Sequence, residues 1–249
     1  NDSMDTVLKL SDYAAKINSD IRIIGIPKTI DNDLCMIDHT PGFGSAAKYI
    51  ASTMLEVAHD TFIYAVKSVT IVEIMGRDAG WLTAQESRGL GDVYKRQTDQ
   101  FGHQQLSGAG KALEFLVKEN IGVKVRSIEV NVLQRCAAHM ASRTDLDEAF
   151  ALGEKAVSLA EEGETATMVT LTRTSNTPYT VTYGHAPIRG IANEAKSIPR
   201  EWINEAGNDI MPQLQEYLLP LIQGEVTNEY KDGVPVYMPV SHLKPKIKE

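Results

Sequence analysis

Apolar and polar positions along this chain follow two alternating periods. From residue 4 to 18 the apolar positions Val7, Leu8, Leu10, Ala14, Ala15 and Ile17 recur at helical spacing, and Ser3 stands where a capping side chain is expected. Ile21 to Ile26 is a short β-branched run, which predicts a buried strand. A polar loop, PKTIDND, follows, and then a Gly- and Ser-led helical pattern from Gly44 to His59. Val69 to Met75 predicts a second buried strand that ends on Gly76-Arg77, with a helix starting across Ala79 to Ser87. Beyond it the pattern predicts helix over 108–118, strand over 127–133 and a long helix over 145–161 with Asp145 near its cap. Paired strands are expected over 167–173 and 179–183, and the tail from Pro199 mixes a short helix with Pro-rich extended chain. Strands alternating with helices of this length make βαβ units, so the expected class is α/β with mainly parallel sheets. Ligands of such sheets sit at the carboxyl ends of strands. The stretch GDVYKRQTD at 91–99 fits neither period and reads as an exposed loop or a junction.

Composition narrows the partners. The chain has 249 residues, enough to bury a sizeable core, with 43% hydrophobic and 23% charged residues. No apolar run approaches the ~20 residues that cross a bilayer, and no basic-then-apolar pattern opens the chain. A cytoplasmic protein without a membrane partner is expected. Lys and Arg number 25 against 33 Asp and Glu, a net charge of −8, which argues against nucleic-acid binding. Small anionic substrates need only a local basic pocket. Cys35 and Cys136 form no disulfide framework or metal spacing and read as small buried hydrophobes. The first residue is Asn1, not Met, so the chain reads as a fragment.

Two strand-to-loop transitions carry groups suited to phosphoryl chemistry. The first is Ile26-Pro27-Lys28-Thr29-Ile30-Asp31-Asn32-Asp33. A lysine there can neutralise a phosphoryl oxygen, and an aspartate can take the proton of an attacking hydroxyl. A solvated turn, with Asp and Asn bonding their own backbone, fits the same residues. The second is Val72-Glu73-Ile74-Met75-Gly76-Arg77. Gly76 permits close backbone approach, and Arg77 at a helix start offers a phosphate-matching fork. A helix-start arginine in an ordinary ion pair is the alternative.

GIPKTIDND at 25–33, IVEIMGRDAGW at 71–81 and VLQR at 132–135 together resemble the phosphofructokinase family, and Asn1-Asp2-Ser3 resembles the end of its Gly-Gly-x-x-Ser phosphate loop. The resemblance implies two three-layer αβα sub-domains with mainly parallel sheets, incomplete at the N-terminus. By that division 1–42 is a remnant of the donor-side sub-domain with the base loop, 43–139 is the sugar-phosphate side with a deletion near 91–98, and 140–249 returns to the donor side. It implies phosphoryl transfer to the 1-hydroxyl of fructose 6-phosphate, giving fructose 1,6-bisphosphate in glycolysis, with Mg²⁺ as cofactor.

Site roles carry over by position. Asp31 matches the general base, with Thr29, Ile30 and Asp33 beside it in the substrate loop. Met75, Gly76 and Arg77 match the segment that contacts the sugar phosphate, with Arg77 also near the transferring group. Arg135 matches a 6-phosphate ligand. Arg126 matches an arginine donated across a subunit interface, which implies a homo-oligomer, dimer or tetramer. Asp2, Ser3 and Lys28 fall in the donor site, and Asn1 stands where many members place a magnesium-contacting Asp.

The donor follows from two positions. In the family, ATP users have glycine where this chain has Asp2 and Lys28, and pyrophosphate users have Asp and Lys. A side chain at Asp2 crowds the place of a nucleotide α-phosphate, and Lys28 suits a smaller, denser anion. Pyrophosphate is therefore the expected donor. An ATP-dependent enzyme and a silent sugar-phosphate-binding subunit of the same fold are the alternatives. Val132 stands where ATP-type members have a histidine, and Ser68 where they have a second cross-subunit arginine. Several dozen residues of the family fall out at 91–99, and the resemblance leaves half of the donor site before residue 1, so the chain as given is expected to be inactive.

Overall fold

In a computed structural model, residues 2–76, 79–84 and 108–237 are described, with the backbone of 97–98 and 104–105. The first helix, α1, spans Asp2–Lys16. It begins two residues before the expected start, so Ser3 lies inside its first turn and is not its cap. The expected strand at 21–26 shortens to β1, Ile24–Gly25. Here α1 and β1 approach closely, since a Cβ on Gly25 would lie 2.9 Å from Met4 Sδ. Glycine at this strand end brings the N-terminal turn of α1 beside the loop that leaves β1.

The 20-residue α2, Phe43–Phe62, follows the loop, and then β2, Ser68–Glu73. A short α3, Trp81–Ala84, occupies part of the helix expected from Ala79. The junction GDVYKRQTD and Arg77 lie outside the described residues, except that β3, Gln97–Thr98, pairs antiparallel with β4, Gln104–Gln105. Next come α4, Ala109–Ile121, and β5, Lys124–Glu129. The strand expected over 127–133 therefore sits three residues earlier. Asn131 takes φ 46°, which ends extended chain, and α5, Leu133–Cys136, begins directly after it. The long α6, Arg143–Glu161, precedes a hairpin of β6, Thr167–Asn176, and β7, Tyr179–Pro187. The tail holds α7, Pro212–Leu218, and a small hairpin of β8, Tyr230–Lys231, with β9, Val234–Pro235.

Two parallel pairings organise these elements. Ile24 and Gly25 of β1 register with Thr167 and Met168 of β6, and β7 closes that sheet antiparallel. All six residues of β2 register in parallel with β5, from Ser68 opposite Lys124 to Glu73 opposite Glu129. The architecture is α/β with parallel sheets. One apolar cluster joins Met4, Leu34, Leu152, Leu159, Met168 and Ile191 around the β1–β6–β7 sheet. A second joins Phe43, Ile50, Trp81, Leu82, Leu214 and Leu218, so α7 packs against α2. Trp81 and Trp202 stack edge to face within it, centroids 6.0 Å apart, as packing residues. No described helix is long and apolar enough to cross a membrane.

The cysteines differ from expectation. Cys35 is half-buried, and Cys136 is exposed at the end of α5.

Candidate active site

The loop leaving β1 is shaped by its own backbone and by side chains within it. Thr29 N–H donates to Pro41 O at 3.2 Å, and Thr40 Oγ1 donates to Thr29 O at 2.7 Å, so residues 29 and 40–42 close its base. Thr29 Oγ1 accepts from Asp31 N–H at 3.1 Å and tightens the turn. Asn32 is fully buried with φ 54°, its Oδ1 accepting from Thr40 N–H at 3.2 Å. The loop then passes into α2 at Gly42, where φ 101° requires glycine.

Asp145 of α6 holds that entry. Its carboxylate accepts from Gly42 N–H at 2.8 Å, Ser45 N–H at 3.0 Å and Ser45 Oγ at 2.5 Å. Asp145 lies in the first turn of α6, near its cap as expected, and its side chain satisfies orphan donors of α2.

A cleft of about 390 Å³ opens at the end of β1. Its walls are Asp2, Ser3, Lys28, Thr29, Ile30, Asp31, Asp33, Pro41, Met75 and Arg135. Nine of the positions singled out from the sequence meet here, from four separate stretches of chain. Asp2 and Ser3 come from the first turn of α1, whose positive dipole end favours an anion. Met75 follows β2, and Arg135 lies on α5.

Gln134 joins those last two. It is 2% exposed, and its amide pairs twice with Met75, accepting from N–H at 3.1 Å and donating to O at 2.8 Å. This sets the backbone after β2 against α5 and leaves Arg135 facing the cleft. Glu73, at the end of β2, accepts from Gly108 N–H at 3.1 Å and Gly110 N–H at 2.8 Å, fixing the start of α4. Neither Gln134 nor Glu73 was singled out from the sequence. The Gln inside VLQR and the Glu inside VEIMGR were the available signals.

Two expected residues stand elsewhere. Gly76 is not part of the cleft wall, and its α-carbon faces open space. Arg126, on β5, pairs with Asp60 at 2.7 Å at the surface, away from the cleft. Asn1 and Arg77 lie outside the described residues.

Electrostatics under the loop are dense. His39, 1% exposed, meets Asp38 Oδ1 at 2.7 Å through Nδ1 and Glu148 Oε2 at 2.6 Å through Nε2. Burial opposes its charged form, but these two carboxylates prevail and raise its pKa above the ordinary 6.5. Burial likewise opposes the Asp38 carboxylate, and the His39 bond with Arg173 nearby lowers its pKa all the same. Lys196 Nζ donates to Ile37 O at 2.8 Å and Asp38 O at 2.6 Å, and burial brings its pKa down to about 8. Asp33 Oδ1 is buried with no hydrogen-bond partner among the described residues.

Comparison with known proteins now decides the family. The phosphofructokinase domain matches residues 1–91. A pyrophosphate–fructose 6-phosphate 1-phosphotransferase of Halomonas elongata is 37% identical over 286 residues, covering 94% of this chain and 68% of that protein. The chain belongs to the phosphofructokinase family. The pyrophosphate-dependent phosphofructokinase structure from Nitrosospira multiformis superposes with a TM-score of 0.84 at 34% identity, covering 95% of this chain and 69% of that one. That from Marinobacter aquaeolei gives 0.82 at 35%, with 94% and 69% covered. The Halomonas alignment runs 286 positions while taking up 94% of 249 residues, so about fifty of its positions face no residue here.

Proposed function

We propose that this phosphofructokinase chain transfers a phosphoryl group from pyrophosphate to O1 of fructose 6-phosphate. The observation that carries the reading is the meeting of Lys28, Asp31, Asp33 and Arg135 in one cleft at the carboxyl end of β1. The names of its relatives agree with the donor that Asp2 and Lys28 favour.

The residues divide the work. Arg135 binds the 6-phosphate by a charge-assisted contact and fixes the sugar. Thr29 and Ile30 line the cleft beside the reacting 1-hydroxyl. Asp31 accepts the proton of the 1-hydroxyl as O1 bonds to phosphorus. The bridging P–O bond of pyrophosphate breaks, and inorganic phosphate leaves. Lys28 and the N-terminal turn of α1 hold the leaving phosphate, while Asp2 narrows the donor site to something smaller than a nucleotide. Arg77 balances charge on the transferring group. Positioning and electrostatics supply most of the rate in this class of reaction.

The cleft fits Mg²⁺. This ion takes one or two carboxylates and completes its shell with substrate phosphate oxygens and waters. Asp33, with its unpartnered buried oxygen, would hold it, with Asn1 as a weaker ligand. Held there, the ion would offset the charge of the pyrophosphate oxygens.

Arg126 faces away from its own cleft, which supports a role in the site of a second subunit of a homo-oligomer. The positions lacking a counterpart in the alignment we place at the 91–98 junction, and the chain without them is expected to be inactive.

Asp31→Asn tests the assignment of the base. In the active enzyme that carries this chain, turnover is expected to fall by at least about a thousandfold with fructose 6-phosphate still bound, as when a positioned proton acceptor is removed. Turnover within tenfold of the parent enzyme refutes it.

A further inference from the structure

We propose that Tyr217, on α7, is a positioning residue for the base loop: its hydroxyl tethers Asn32 inward, so that Asp31 and Asp33 on either side face the cleft. This rests on the reading of Asp31 as the base. In the run Asp31-Asn32-Asp33 the two carboxylates line the cleft, and the amide between them is fully buried. Asn32 adopts a left-handed φ of 54°, a conformation that costs a non-glycine residue energy unless its surroundings fix it. Its Nδ2 donates to Tyr217 Oη at 3.0 Å. The same hydroxyl donates its proton to Asp38 O at 2.8 Å. One oxygen thus spans residues 32 and 38 from a site 185 positions away in sequence.

The tyrosine is itself held on every side. Its ring is 7% exposed and lies 5.4 Å from Trp81 and 5.3 Å from Trp202, centroid to centroid. The Arg173 guanidinium sits 4.4 Å from the ring centroid, and its Nη1 donates to Tyr217 O at 2.9 Å. Burial raises the pKa of the phenol, which keeps it a neutral donor. Asp38 O has a second donor in Lys196 Nζ, whereas Tyr217 Oη is the acceptor for Asn32 Nδ2. Removal of the hydroxyl therefore falls on Asn32.

The test is Tyr217→Phe in the active enzyme that carries this chain, with kcat, KM, thermal midpoint and hydrogen exchange of residues 29–34 measured together. Displacing a reacting group by ~1 Å costs up to about a hundredfold in rate. The expected result is a kcat lowered about tenfold or more, a KM for fructose 6-phosphate within about twofold, and faster exchange confined to the loop. Asn32→Gly accepts the same φ without the tether and is expected to lose kcat in the same way, which covers a Tyr217→Phe protein that does not fold. Parent kcat in a folded variant of either kind overturns the proposal. Asp31→Asn, run alongside, separates the two readings: if it retains turnover, the base assignment fails whatever Tyr217 does. If it is inactive while Tyr217→Phe turns over normally, only the positioning role fails.

Discussion

Replacing Asp145 by alanine removes one carboxylate that two helices share. Three donors lose their acceptor: Gly42 N–H, Ser45 N–H and Ser45 Oγ. Asp145 is 4% exposed, so water replaces it poorly. A hydrogen bond to a charged group contributes about 1.5–3 kcal/mol, and loss of a helix cap costs about 1 kcal/mol. The three contacts share one side chain and do not add in full, so the expected loss is about 3–4 kcal/mol. With an m-value of about 3 kcal/mol/M in urea, the unfolding midpoint falls by about 1 M. Asp145→Asn keeps an acceptor oxygen and is expected to lose about half as much. Urea unfolding followed by tryptophan fluorescence reads both, since Trp81 packs in the cluster that contains α2. A midpoint shift below about 0.3 M for Asp145→Ala would refute the idea that this contact anchors α2.

Two further outcomes follow from the buried groups. The folded pKa of His39 lies above its ordinary value, so the stability it contributes is whole below about pH 6.5 and is lost as pH rises through the folded pKa. Unfolding free energies from pH 6 to 8 should therefore decline more steeply in the parent protein than in His39→Gln, and equal slopes would contradict the charged His39 clamp. At Gly44 a Cβ would lie 2.5 Å from Leu221 O and 3.3 Å from Asp145 Cβ, so Gly44→Ala should lower stability by about 1–3 kcal/mol in the same urea assay.

Periodicity made most of the elements legible. Helices α1, α2 and α6 and strands β2, β6 and β7 appear where apolar spacing put them, within a few residues. Periodicity reports burial of apolar faces, and these elements are held by such faces. It failed at β5, where apolar residues continue to Leu133 past the left-handed Asn131 that ends the extended chain. The cleft was legible because the residues following β1 and β2 that line it stand in long, specific motifs. Its supports were not. Asp145, Glu73, Gln134 and Tyr217 each satisfy backbone or side-chain groups 35 to 185 residues away. A polar residue that bonds across such a separation leaves no periodic trace. The carboxylates that clamp His39 come from its neighbour and from α6.

The proposed use of pyrophosphate by the loop after β1 is tested most directly by the initial rate of fructose 1,6-bisphosphate formation with Mg²⁺ and either pyrophosphate or ATP at equal concentration. The protein to use is the active enzyme that carries this chain. Pyrophosphate is predicted to support turnover at least about a hundredfold faster than ATP, a discrimination that a contact to the wrong donor's missing or clashing group can supply. Lys28→Gly should abolish the pyrophosphate rate. Equal turnover with ATP in the unmutated protein would contradict the account.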